Sequence, residues 1–171
     1  YTISLRTRNW ISIFRACPSL ATSRLQKSLY QQLCWLQAHP EHSHGGNHWL
    51  ENLIALAIGG LQFQGVHATR MHLRAMYLLQ LELPSQILAD CGHHERSASY
   101  HLVILDRLIE LVSNLTVFRR SVPSWLHKSI VDMTRWVLAV RLENGTFPLF
   151  NDSPVDGCPS AELVLAKLAT T

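Results

Sequence analysis

The sequence has no C-x-x-C pair, no H-E-x-x-H, no G-x-S-x-G and no glycine-rich phosphate loop. These absences leave no basis for a zinc ribbon or thioredoxin-type motif, a zincin, an elbow-type serine hydrolase, or a nucleotide fold. Its four cysteines, Cys17, Cys34, Cys91 and Cys158, are widely spaced. Disulfides are permitted by the even count, but isolated buried thiols are the simpler expectation. Charge is also sparse: Asp, Glu, Lys and Arg make up 16% of 171 residues, with a net charge of +3. No dense Lys/Arg run carries interleaved aromatics, so nucleic acid is not an expected partner, although the slight positive charge suits an anionic one.

Long apolar runs are missing as well. Leu53 to Phe63 is the longest, and it is interrupted by Gly59, Gly60 and Gln62; it is too short to span a bilayer. The chain begins at Tyr1. Arg6, Arg8 and Arg15 flank only a short apolar patch, Trp10 to Phe14, which is not the uninterrupted core of a secretory signal. The expectation is a piece cut from a longer protein, with its location left open.

What is present is helical periodicity. Leu25, Leu29, Leu33 and Leu36 form a stripe stopped by Pro40. After a polar loop, Trp49, Leu50, Leu53, Ile54, Ala57 and Ile58 predict a helix buried on most of its circumference. Further helices are predicted from about Ala68 to Leu83 with an extra turn from Pro84 to Leu88, from about Leu102, from Pro123 to about Asn144-Gly145, and from Ala161 to Leu168. Only Phe147 to Phe150 could be a strand. The pattern is an all-α array of helical hairpins or an α/α toroid.

Two loops carry most of the reactive side chains, and each precedes a helix N-terminus, where backbone N–H groups favour an anion. In Gly46-Asn47-His48-Trp49-Leu50-Glu51-Asn52, the bland reading makes Asn47 an N-cap and Glu51 a first-turn acid opposing the dipole. In Asp90 to His101, the bland reading is a loop tied by its own hydrogen bonds. Glu95 and Arg96 would pair, Ser97 or Ser99 would cap the next helix, and Tyr100 and His101 would fall in its first turn. Histidines cluster at His39, His42, His44 and His48, and again at His93 and His94 beside Glu95. A metal site needs converging ligands, and this spacing does not supply them.

The first of these segments resembles the GNHLLEN signature of the heparinase II/III-like polysaccharide lyases, and Asp90 to His101 resembles that family's DGGHFERSPMYH signature. Leu53 to Phe63, Leu149-Phe150-Asn151-Asp152-Ser153 and the opening Leu5 to Phe14 look like the family pattern too. In this chain Cys91 stands where the first Gly of a pair is usual, His94 replaces an aromatic, and Ala98 replaces Pro. The resemblance implies an incomplete α/α toroid, with residues 1–171 forming a single helical domain from its later part. A β-sandwich domain is expected downstream.

It also implies β-elimination on a polysaccharide containing uronic acid, heparan-like or alginate-like. Asn47 would neutralise the uronate carboxylate, His48 would be partner or base, and Tyr100 general acid and base. Glu95, Arg96, His101 and Trp49 would support them or hold sugar. The expected partners are an acidic polysaccharide and the missing β domain, which in this family supplies a further histidine, so the fragment alone should be inert. No cofactor or metal is expected in this chain, and the family's compartment is periplasmic or secreted. The alternative is a non-catalytic helical carbohydrate-binding or scaffold module.

Overall fold

A computed structural model describes residues 1–42, 46–151, 153–154 and 158–170. Seven α-helices are present among them: α1 (Thr2–Ala16), α2 (Ser23–Ala38), α3 (Gly46–Gln62), α4 (Val66–Gln86), α5 (Ala98–Val117), α6 (Ser124–Val140) and α7 (Ala161–Ala169). The chain divides into two compact units, Tyr1–Leu79 and Gln80–Thr171.

In the first unit α1, α2 and α3 pack on one another. The α2 stripe is as the spacing predicts: Leu29, Leu33 and Leu36 are buried, and the Thr22 hydroxyl accepts from the Leu25 N–H at the helix start. Every residue of α3 from Asn47 to Leu61 is buried except His48, as a helix enclosed by neighbours requires. Gly60 allows α4 to come close, because a Cβ there would lie 2.6 Å from the His72 backbone nitrogen and 2.7 Å from the Ala68 carbonyl oxygen. Beside it, His72 Nδ1 donates to the Ala57 carbonyl at 2.8 Å.

Helix α1 is an addition to what periodicity predicts. Its buried positions are Ser4, Thr7, Arg8, Ile11 and Phe14. They keep helical spacing, but three of the five are polar, so a hydrophobic pattern does not reveal them.

In the second unit α5 packs against α6 and α7, with Leu102, Leu105, Leu108, Met133, Val137 and Val164 in the core. Asp106, also buried, accepts from Arg107 at 2.7 Å and from Lys167 of α7 at 2.5 Å. Three boundaries differ from expectation. Pro84 lies inside the last turn of α4 and does not start a separate one. Helix α6 ends at Val140, and Asn144-Gly145 makes a turn of its own. There Asn144 Oδ1 accepts from the Thr146 N–H at 3.0 Å, and Gly145 takes φ +83°. Phe147 to Phe150 is not a strand; the bridge between Ile87 and His93 is the β pairing present among the described residues. All four cysteines are free thiols, with Cys17 exposed and the others half-buried instead of enclosed. No helix among the described residues is long and apolar enough to cross a membrane.

Candidate functional site

The first candidate turn opens α3. Because the helix begins at Gly46, Asn47 lies inside its first turn and is not the residue that caps it. Asn47 is buried, with 8% of its surface exposed. His48 is more open: its side chain is 43% exposed, its Nδ1 lies 3.8 Å from Glu41 Oε1, and its ring stacks on Tyr1 at 4.6 Å. Trp49 is buried, its ring 3.8 Å from that of His42. Of the four histidines grouped by sequence here, His44 lies outside the described residues.

What holds this turn comes from elsewhere in the chain. Glu51 does not sit at the surface facing a helix dipole; it is fully buried and paired with Arg8 of α1, itself 3% exposed. Two such charges out of water are stable only together. Asn52, one residue on, is also fully buried. Its Nδ2 donates to Ser4 Oγ at 3.0 Å and to Glu41 Oε2 at 2.9 Å, while its Oδ1 accepts from the Glu41 N–H at 3.0 Å. One amide thus fastens α1, α3 and the segment entering the loop.

The second candidate turn opens α5. Ser97 is its N-cap, with the hydroxyl accepting from the Tyr100 N–H at 3.3 Å. Of the two caps the spacing allowed, the nearer one forms, and Tyr100 and His101 fall in the first turn as expected. Tyr100 is half-buried. His101 is fully buried and cannot touch a sugar. Its Nδ1 accepts from the His93 N–H at 3.2 Å, so Nε2 carries the proton and donates to the Met133 carbonyl at 2.9 Å. The same reasoning fixes His93. Its Nδ1 accepts from the Glu95 N–H at 3.4 Å, and its Nε2 donates to Gln86 Oε1 at 3.2 Å. Burial, with His94 and His101 nearby, lowers the His93 pKa to about 3. Burial also lowers that of His101 to about 4, against the opposing pull of the Met133 carbonyl and Asp90. Both rings are neutral struts.

The loop between these struts is tightly wound. The Gly92 N–H donates to Asp90 Oδ1 at 2.9 Å and the His94 N–H to the Gln86 carbonyl at 2.8 Å. Cys91 and Arg96 both take left-handed backbone conformations, φ +69° and +52°. Glu95 and Arg96 do not pair: Arg96 is exposed and makes no ion pair among the described residues. A third segment clamps the loop from outside. Asn151 Nδ2 donates to the carbonyls of Glu95 and Arg96 at 3.0 and 3.1 Å, Ser153 Oγ bonds Ser97 Oγ at 2.8 Å, and Ser99 Oγ donates to the Pro154 carbonyl at 3.3 Å. Motif reading assigned no role to these partners, nor to Arg8, Gln86 and Trp136. Asn151, Ser153 and Arg8 lie in segments already set apart by their likeness to the family pattern, which was the one available signal. Among the described residues no three His, Cys, Asp or Glu side chains gather as a metal site would need.

An all-α fold of helical hairpins defines a class: a piece of an incomplete α/α toroid. Residues 3–165 match the model of the heparinase II/III N-terminus, and the chain belongs to that family. Among solved structures it is similar to the crystal structure of heparinase III, with a TM-score of 0.76 and 21% identity over 88% of this chain. The chain spans 25% of the length of that structure. No curated protein sequence matches it.

Proposed function

We propose that this chain is part of a polysaccharide lyase that cleaves a uronic-acid polymer by β-elimination, with Asn47, His48 and Tyr100 as its share of the active site. One observation supports this most. Asn47 and Tyr100 each stand in the first turn of a helix, and the polar neighbours of both turns are engaged in buried contacts that fix the backbone: Arg8 with Glu51, Asn52 with Ser4 and Glu41, His93 with Gln86, and His101 with Met133.

The chemistry needs that stiffness. Removing the C5 proton places a second negative charge on a group that already bears a carboxylate. A donor aimed at that carboxylate must be in place as the charge develops. An Asn amide donates without titrating, and a helix N-terminus adds its own partial positive charge. Tyr100 suits protonation of the departing O4, because a phenol of pKa ~10 keeps its proton at neutral pH. His48, close to half exposed beside Glu41, is the partner base or second carboxylate ligand. Glu95 and Arg96 flank the phenol's turn. A downstream β domain completes the site, and the isolated 171-residue chain is inert.

The test is eliminase activity of the full-length protein on uronate polymers, followed as unsaturated-uronate absorbance. Tyr100→Phe is expected to cost 10²-fold or more in kcat, of the order of general acid catalysis. Asn47→Ala is expected to cost about 10²–10³-fold, the usual loss for one oxyanion donor. A Tyr100→Phe protein as fast as wild type would end the assignment. Glycan binding with no unsaturated product from any polymer would favour a carbohydrate-binding module instead.

A further inference from the structure

We infer that the cleft beside the Asp90–His101 loop is a binding subsite for an anionic sugar unit, with Arg96 as its cation and Phe150 and Trp136 as its aromatic surfaces. The inference rests on the polysaccharide reading above and gives it a place where the chain of sugars continues. The cleft holds about 510 Å³, and its walls include Asp90, His93, Arg96, Trp136, Phe150 and Asn151. That is room for a sugar residue, in a site with a few polar groups set among apolar ones.

The chemistry of each wall is assigned by its existing bonds. The His93 nitrogens are both engaged, with Gln86 and with the Glu95 N–H, so His93 is a lining surface only. Asn151 spends its amide hydrogens on the carbonyls of Glu95 and Arg96. Asp90 accepts from the Gly92 N–H through Oδ1, and a carboxylate has further acceptor capacity for sugar hydroxyls. The Trp136 indole is braced by the His101 ring, stacked at 4.3 Å. It is also wedged against Gly92, where a Cβ would come within 2.6 Å of the indole nitrogen. Phe150 is 51% exposed at the rim, so its ring face is open to a sugar.

Arg96 is the residue that selects for charge. It is exposed, makes no ion pair among the described residues, and is held at φ +52° by the Asn151 bonds to its own carbonyl and its neighbour's. Non-glycine residues kept left-handed by surrounding bonds cluster at ligand clamps. A guanidinium there can bind a carboxylate or a sulfate ester with two parallel hydrogen bonds.

The test uses the full-length protein in a Tyr100→Phe background, so that the glycan stays intact, and measures binding by calorimetry. The ligands are an unsulfated uronate oligosaccharide and a sulfated heparan-type one. Arg96→Gln is expected to weaken binding about tenfold, and Phe150→Ala several-fold, each with unchanged melting temperature because both side chains are exposed. Weakening on both ligands assigns a carboxylate to the cleft, and weakening on the sulfated one alone assigns a sulfate. Affinities equal to the background for both variants would overturn the subsite, as would a full-length protein that binds neither ligand. Binding that depends on Arg96 in a wild-type protein that releases no unsaturated product would leave the subsite standing and remove the lyase reading.

Discussion

The Asn47 turn and the Tyr100 turn are stiffened by opposite means. Under Asn47 lies a buried charge pair, Arg8 with Glu51, drawn from helices far apart in sequence. Under Tyr100 lie two neutral imidazoles whose hydrogen bonds fix both tautomers, along with a capping serine and an outer clamp from Asn151 and Ser153. The first device is strong only while both charges are present. The second has no charge to lose, but it fails when a proton is added. The two turns therefore fail under different conditions.

The largest expected effect breaks the first device. Glu51→Gln leaves Arg8 buried with its countercharge gone, a loss of about 3–5 kcal/mol. Urea unfolding of the variant should show a clearly lower midpoint. A double replacement, Arg8→Met with Glu51→Leu, should regain most of that loss, because removing both charges also removes their desolvation cost. If the single and double variants unfold alike, the pair is not what holds the turn.

The contrast also explains what could be read from sequence. Ser97, three residues before the N–H it accepts from, is a local signal, and the cap falls where spacing puts it. Glu51 carries the same kind of local signal, an acid early in a helix, and the signal misleads because its real partner is Arg8, 43 residues away. Asn47 fails as a cap because the helix starts at Gly46, two residues earlier than a cap at Asn47 implies. Helix α1 shows the limit of periodicity itself. Its inward face is Ser4, Thr7 and Arg8 as much as Ile11 and Phe14, and polar residues that serve a distant partner look solvent-facing until the partner is seen. The all-α class and the buried character of α3 were legible because they depend on the chain's own spacing.

Acid should sharpen the comparison from the other side. His93 and His101 have folded pKa values lowered to about 3 and about 4 from an ordinary 6.5. Below pH 6.5 the unfolded chain takes up protons that the folded loop refuses. Their contribution is therefore complete above pH 6.5 and falls away as pH drops toward 4 for His101 and toward 3 for His93. The loss is about 2 kcal/mol for each histidine by pH 5. Melting temperatures measured from pH 8 to pH 5 should fall accordingly, and His101→Gln, which has no titrating group, should flatten the slope while lowering stability at pH 7. An equal slope in that variant would place the acid sensitivity elsewhere.

The last effects concern two adjacent residues in the wound loop, and the one at Cys91 is the smallest. Both positions favour glycine, for different reasons. Position 92 is steric: a Cβ there would lie 2.6 Å from the Trp136 indole nitrogen, so Gly92→Ala should cost about 1–3 kcal/mol as an overpacked contact. Position 91 is conformational: φ is +69°, a region that costs an L-residue with a Cβ about 1 kcal/mol or more. Glycine stands where the obstacle is a ring braced by His101, and Cys91 where the obstacle is a backbone preference alone. The half-buried thiol can be carried at that cost because the turn is held by Asp90 and Gln86. Cys91→Gly should therefore raise stability by about 0.5–1 kcal/mol, less the extra freedom glycine gives the unfolded chain. A thermal melt that shows Cys91→Gly destabilising would mean that the thiol makes a packing contact worth more than the strain it bears.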